Sequence, residues 1–308
     1  AVKTSSAFGV TGILAFTASP SGTFTVGASP AITWTKTGNI PTVDVSYKVG
    51  AGADVSIAAG FAGTTLNWTI PEGAIGSSVT VKVKDADGTH VVTEVINTAF
   101  AVKGALTITD PAALLTVGTS ETLAWTKSST LTNLDLFYST DGSTWTTIIT
   151  GQTGTSYAWS PPAAAIGTAV RVRVKDADTA HALTQSDSSP VQVQGVLTFT
   201  TSPSGTLTVG NLTPVVFTKT SSITNVGLYF AVAGTETLIT TTSATSLTWT
   251  VDNNAVGGTV TLKLKDADSG HPLAIKTSTA FAVTGGLAFT ASPSGTLTVG
   301  AVSTITFT

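Results

Sequence analysis

The stretch Gly12-Ile13-Leu14-Ala15-Phe16-Thr17-Ala18-Ser19-Pro20-Ser21-Gly22-Thr23-Phe24-Thr25-Val26-Gly27 returns almost letter for letter at Gly195 to Gly210 and Gly285 to Gly300, and in diverged form at Gly104 to Gly118. Such a chain is a tandem array, because each copy must find the same local solution. The closing glycines Gly27, Gly118, Gly210 and Gly300 stand 91, 92 and 90 residues apart. That period is too long for a helical or leucine-rich solenoid and suits a small independent domain. The expected division is 1–12, the closing strand of a preceding repeat; 13–103, 104–194 and 195–285, three complete repeats; and 286–308, the opening strands of a following one. The ends carry this expectation: Thr4-Ser5-Ser6-Ala7-Phe8-Gly9-Val10 parallels Thr277-Ser278-Thr279-Ala280-Phe281-Ala282-Val283, while Leu287 to Thr308 matches only a beginning. Together the two pieces fall well short of one period. The reading adopted is a window cut from a longer polymer; the alternative is that the terminal strands are donated across subunits, since an unpaired sheet edge recruits a partner.

Charged residues make up only 10% of the chain, against about 25% in ordinary soluble proteins. Thr (62) and Ser (30) take their place at the surface. A hydroxyl-rich surface suits O-glycosylation or close packing against identical neighbours. A net charge of −3 and a positive mean hydropathy favour the packed surface, because charge is what keeps proteins apart. With no Cys, neither a disulfide frame nor a thiolate metal site is available. No apolar run of about 18 residues suggests a membrane span, and no charged segment followed by an apolar one marks a signal peptide. Lys and Arg number 14 against 17 acidic residues, without a basic tract, which argues against nucleic acid as a partner.

Hydropathy alternates with a period of two. In Val79-Thr80-Val81-Lys82-Val83-Lys84, Val170-Arg171-Val172-Arg173-Val174-Lys175 and Val260-Thr261-Leu262-Lys263-Leu264-Lys265, aliphatic residues alternate with polar ones, as in a strand with one buried face. Ser19-Pro20-Ser21-Gly22, Gly50-Ala51-Gly52, Asp87-Gly88 and Asp141-Gly142 supply turns. Six or seven strands per repeat, and no sustained helical pattern, predict an all-β fold: tandem immunoglobulin-like β-sandwiches in an extended array. Trp34, Trp125, Phe217 and Phe307 share one repeat position, and Trp68, Trp159 and Trp249 another. Large rings on the apolar face of a small sandwich are expected in its core.

Several of these segments carry a resemblance. Ile32-Thr33-Trp34-Thr35, Leu136-Phe137-Tyr138-Ser139-Thr140-Asp141-Gly142-Ser143-Thr144-Trp145, Tyr157-Ala158-Trp159-Ser160-Pro161, Val172-Arg173-Val174-Lys175-Asp176 and the closing Thr279-Ala280-Phe281-Ala282-Val283 resemble the Ser-Thr-rich Ig-like tandem repeats of fungal cell-wall glucan-assembly proteins and secreted bacterial surface proteins. The resemblance implies an extracellular or cell-surface β-sandwich. Only the second repeat has the full Asp-Gly-Ser-Thr-Trp hairpin; the first has Gly50-Ala51-Gly52-Ala53-Asp54 and the third Ala233-Gly234-Thr235-Glu236.

The most regular polar feature is Lys84-Asp85-Ala86-Asp87, repeated at Lys175-Asp176-Ala177-Asp178 and Lys265-Asp266-Ala267-Asp268, with His90, His181 and His271 following. Paired carboxylates invite Ca²⁺, but that ion takes about six to eight oxygens and each loop offers two side chains. The reading preferred is that each Asp bends a hairpin through hydrogen bonds to its own backbone. Each His stands alone in its repeat, which favours a turn or inter-domain contact over a metal site or pH sensor. Lys82, Lys84, Arg171, Arg173, Lys175, Lys263 and Lys265 project from one equivalent strand; they form either a solvated face with local ion pairs, the reading preferred, or a basic stripe for acidic polysaccharide or neighbouring Asp loops. Asn67-Trp68-Thr69 and Asn211-Leu212-Thr213 have the glycosylation pattern. Ser139 to Trp145 is one residue short of the Asp-box turn and marks a hairpin.

No activated nucleophile with a distinct base is evident, so no enzyme, cofactor or resident metal is expected. Junctions as short as Thr284-Gly285-Gly286 leave little hinge freedom. The expected product is a semi-rigid string on the order of 100 Å long. Its expected role is a structural protein of an extracellular filament, sheath or surface stalk that associates with copies of itself. The alternative is an adhesin or carbohydrate-binding stalk, meeting cell-wall polysaccharide, whose binding tip lies elsewhere.

Overall fold

The computed structural model describes residues 2–6, 9–88, 93–181, 184–287, 289–300 and 302–307. Its first unit contains β1 (Ile13–Ala18), β2 (Thr23–Thr25), β3 (Ala31–Thr37), β4 (Val43–Val49), β5 (Val55–Phe61), β6 (Thr65–Asn67), β7 (Gly76–Asp85), β8 (Glu94–Ile96) and β9 (Phe100–Lys103). The second repeats the set as β10 (Leu106–Ile108), β11 (Leu114–Thr116), β12 (Glu121–Lys127), β13 (Leu134–Ser139), β14 (Thr146–Gln152), β15 (Ser156–Trp159), β16 (Gly167–Asp176), β17 (Gln185–Asp187) and β18 (Val191–Gln194). The third comprises β19 (Leu197–Thr201), β20 (Thr206–Thr208), β21 (Leu212–Lys219), β22 (Val226–Val232), β23 (Thr235–Thr242), β24 (Ser246–Thr250), β25 (Gly257–Asp266), β26 (Ile275–Thr277) and β27 (Phe281–Thr284). A short pair, β28 (Phe289–Ala291) and β29 (Thr306–Phe307), follows.

Each unit is a sandwich of a three-stranded sheet, ordered β1-β3-β6 in the first, and a six-stranded one, ordered β2-β9-β7-β4-β5 with β8 also on β7. The chain is all-β, a tandem series of immunoglobulin-like sandwiches. The opening strand is what ties the two sheets together. β1 pairs antiparallel with β3, and after Pro20 and Gly22 the chain crosses to pair β2 parallel with β9. Pro20 has no amide to leave unpaired at this break, and Gly22 takes φ +81°, a left-handed turn that glycine adopts without strain.

The expected six or seven strands become nine in each unit, because two strands are interrupted. The opening strand divides at the sheet crossing. The closing strand divides at Asn97, Ser188 and Ser278, where the ladder is repaired by side chains. Val81, Val172 and Leu262 donate their amides to Asn97 Oδ1 (2.7 Å), Ser188 Oγ (2.9 Å) and Ser278 Oγ (2.9 Å), and the amides of those three residues donate back to the same partners' carbonyls. A short polar side chain at this position therefore stands in for a missing rung.

Alternation places Val79, Val81 and Val83 in the core, with Thr80, Lys82 and Lys84 on the opposite face of β7. Trp34, Trp125 and Phe217 fill one core position and Trp68, Trp159 and Trp249 the other, all at 4% exposure or less. The second set packs against the facing strand: Tyr47–Trp68 centroids lie 5.2 Å apart, Tyr138–Trp159 5.7 Å and Phe230–Trp249 6.0 Å. The indole N–H groups of Trp34 and Trp125 are buried without a hydrogen-bond partner; Phe217 fills the same site with no such group. Phe307, expected at that core position, is instead 67% exposed. Among the described residues the β28–β29 pair forms a two-stranded sheet with no second sheet over it.

Candidate functional site at the poles of each unit

The loops that carry the sequence-predicted polar residues gather at one pole of each sandwich, here called proximal, where the chain enters. Position follows from topology: β3 ends there, β4 begins there, and β7, antiparallel to β4, ends there in the Asp loop. The residue that organises this pole was missed by the sequence reading. Lys36 Nζ donates to the carbonyls of Pro41 (3.1 Å) and Ala62 (2.8 Å). Lys127 Nζ does the same to Leu131 (2.6 Å) and Thr153 (2.8 Å), and Lys219 Nζ to Thr224 and to Ser243 (2.9 Å). One ammonium thus staples two loops in every unit, using donors that a Lys supplies in several directions. The signal was available: a Lys stands two residues after each of Trp34, Trp125 and Phe217.

The Asp loops are turn scaffolds, as the hairpin reading expected. The amides of Asp87, Asp178 and Asp268 donate to Oδ1 of Asp85 (3.0 Å), Asp176 (3.1 Å) and Asp266 (3.0 Å). Asp85, Asp176 and Asp266 are themselves buried. The histidines join them: His181 Nδ1 lies 2.7 Å from Asp176 Oδ2, and His271 Nδ1 lies 2.9 Å from Asp266 Oδ2. His90 lies outside the described residues. Asp266, Asp268 and His271 bring one potential ligand atom each within 4.8 Å of one another. All three are already engaged, and a hard cation needs about twice as many oxygens.

The second aspartate behaves differently in successive units. Asp268 accepts from the amides of Thr224 and Asn225 (2.9 Å) and from Asn225 Nδ2 (3.0 Å). Burial alone raises the Asp268 carboxyl, but these donors outweigh it and hold the group below the usual carboxylate range. Asp178 instead accepts from the amide of Ala180 (2.9 Å) and caps the 3₁₀ turn Thr179–His181.

The opposite, distal pole is apolar and meets the next unit. Linkers of two residues, Gly104-Ala105 and Gly195-Val196, separate the flanking strands. Ile75, at the end of a 3₁₀ turn, belongs to the second unit's core, and Ile166 to the third's. Val26 and Val117 pack beside them. Gly195 is small because a Cβ there would stand 2.6 Å from Ile223 Cδ1 and 3.2 Å from Ile166 Cδ1. A polar contact reinforces each seam. At the first, Glu72 accepts from Ser129 Oγ (2.6 Å) and from the amides of Ser129 (3.1 Å) and Thr130 (3.0 Å). The Ser129 hydroxyl, then the two amides, hold the Glu72 carboxyl below its ordinary value. At the second, Ser222 Oγ donates to the Ala163 carbonyl (2.8 Å).

Of the seven basic residues on the outer face, Lys82, Arg173, Lys263 and Lys265 pair with acids of their own units, and Arg171 donates to the Ser188 carbonyl (3.0 Å). Lys82 pairs with Asp54, whose carboxyl is lowered by that bond while the Lys82 ammonium is raised. Arg173 forks onto Asp187 (2.6 and 2.7 Å) and stacks 3.8 Å from the Trp145 ring. Lys263 (2.8 Å) and Lys265 share Glu236, lowering its carboxyl. These are partly exposed pairs of the local kind, each worth little alone. In the hairpin of the second unit, Asp141 accepts from the amides of Thr144 (2.7 Å) and Ser143 (2.8 Å) and from Ser139 Oγ (2.9 Å), so its carboxyl lies far below normal. Asn67 closes β6 and Asn211 precedes β21; both side chains are exposed.

No protein-family model and no curated protein sequence matches the chain. Among solved structures it is similar to a tetra-tandem repeat from the extending region of a large adhesion protein, with 15% identity, a TM-score of 0.35, and 91% of this chain and 75% of that one covered. It is also similar to three N-terminal domains of the outer capsid protein Hoc of bacteriophage RB49 (16%, 0.30, 90% and 99%) and to an ectodomain fragment of ICAM-5 (12%, 0.29, 88% and 76%). The immunoglobulin-like description of this chain rests on its own strand order, repeated in each of the three units.

Proposed function

We propose that this chain is building material: a run of sandwich domains forming part of an extracellular filament, sheath or surface stalk and associating laterally with copies of itself. The observation that carries the reading is the repeated seam, an Ile from one unit seated in the core of the next across a two-residue linker. Load along such a string passes through packed side chains and backbone ladders rather than through a loose tether. Thr-rich, charge-poor faces support lateral packing.

The test is sedimentation velocity and negative-stain electron microscopy of the purified chain over a range of concentrations and salt. Reversible side-by-side assemblies with regular spacing support the reading. Isolated strings at every concentration contradict self-association and favour the alternative, a solvated adhesin or carbohydrate-binding stalk.

A further inference from the structure

The proximal poles of the second and third units are built alike and differ in one turn. In the third, Asp268 satisfies the amides of Thr224 and Asn225 and the Asn225 side chain. The matching donors of the second unit, the amides of Thr132 and Asn133 and the Asn133 side chain, meet no acceptor among the described residues. Asp178 is 55% exposed and occupied with Ala180. The cause is legible in the backbone. Gly270 takes φ +82° in the third unit, a conformation that the matching Ala180 resists. The second unit therefore forms a 3₁₀ turn, and Asp178 caps it.

Between the Thr130–Asn133 loop and the Asp176–His181 turn this leaves a pocket of about 290 Å³. Its walls have opposite hydrogen-bonding sense. One carries the donors of the exposed Thr132 and Asn133; the other carries the exposed Asp178 carboxylate, while Asp176 lies buried behind it with its oxygens taken by the Asp178 amide and His181. An anion would meet the donors but face two carboxylates, and a cation would find one unburied carboxylate and the N–H groups of the facing wall. A vicinal diol meets both, since its hydroxyls accept from the N–H groups of one wall and donate to the Asp178 carboxylate of the other. We infer that this pocket is a subsite for one ring of a neutral saccharide. Its size, at the small end of the roughly 300–1,000 Å³ of ligand pockets, suits a single sugar. The first unit lacks the amide pair, because Pro41 stands where the second has Thr132. This site is independent of self-association.

The test is ¹H–¹⁵N NMR of the whole chain titrated with the methyl glycosides of glucose, galactose and mannose, with acetate and calcium chloride in parallel arms. The expected result is saturable movement of the Thr132 and Asn133 amides and the Asn133 side chain with at least one sugar, while Thr224 and Asn225 stay still. Ala180→Gly, which frees the turn to follow the third unit's path, should weaken the response about tenfold or more. Thr132→Pro removes one donor and should do likewise, using the residue the first unit already accepts. The inference is overturned if no sugar moves these resonances, if acetate or calcium moves them in place of sugar, or if both folded variants bind as the parent does.

Discussion

The two seams between units use the same plug and different latches. Ile75 and Ile166 are both buried in the following core, at 5% and 8% exposure. Around the first, a carboxylate takes three donors from the next unit's loop; around the second, a single hydroxyl meets a carbonyl. Glu72 is not repeated, since Ala163 stands in its place. The plug is therefore the architecture and the latch is local adjustment.

The largest expected effect falls on the plug. Ile166→Ala removes buried apolar volume where Gly195 and Ile223 close around it, and should destabilise the third unit by about 2–4 kcal/mol in denaturant unfolding. Val256→Ala, at the matching position but with its side chain 48% exposed, should stay within about 0.5 kcal/mol. Equal effects would break the comparison. Next in size is Ala233, which with Gly234 forms a two-residue hairpin turn at φ +51° and +87°. Alanine is strained there, so Ala233→Gly or Ala233→Asn should stabilise the third unit by about 1 kcal/mol. If the seams couple the units, part of that gain will appear in the unfolding midpoint of the second.

The latch should produce smaller, pH-dependent effects. The Glu72 carboxyl ionises at lower pH in the folded chain than in the unfolded one. Its contribution is therefore fully present above the ordinary carboxylate range and is lost as pH falls through the lowered value. Interdomain angles measured by residual dipolar couplings should spread at the first seam on acidification and hold at the second; Glu72→Gln should reproduce the spread at neutral pH. The smallest effect is the reverse transplant. Ala163→Glu should narrow the angles at the second seam and make it newly acid-sensitive.

Much of this was legible in the sequence because it repeats. Alternation in Val79 to Lys84 and the paired ring positions of Trp34 and Trp68 identify the sandwich and its core, since burial of one strand face leaves a period of two. Asp85, Asp176 and Asp266 were legible as turn formers for the same local reason. The nine-strand count was hidden because β2 and β8 have only three residues each, too few to show a period. The plug and the staple were missed for another reason: Ala-Ile-Gly at 74–76 and 165–167, and the Lys after each core ring, recur with the repeat, but their partners lie in other loops or in the next unit. The contrast between Asp178 and Asp268 depends on one residue, Ala180 against Gly270, whose meaning emerges only once the φ angle is known.

The most direct test of the account is small-angle X-ray scattering of the whole chain beside a variant carrying Ile75→Asp and Ile166→Asp. The account predicts a rod-like profile for the parent, with a cross-section of one sandwich, and a more flexible, beaded profile for the variant with its strand content preserved. A parent profile of a compact globule, or of freely jointed beads that the substitutions leave unchanged, would contradict it.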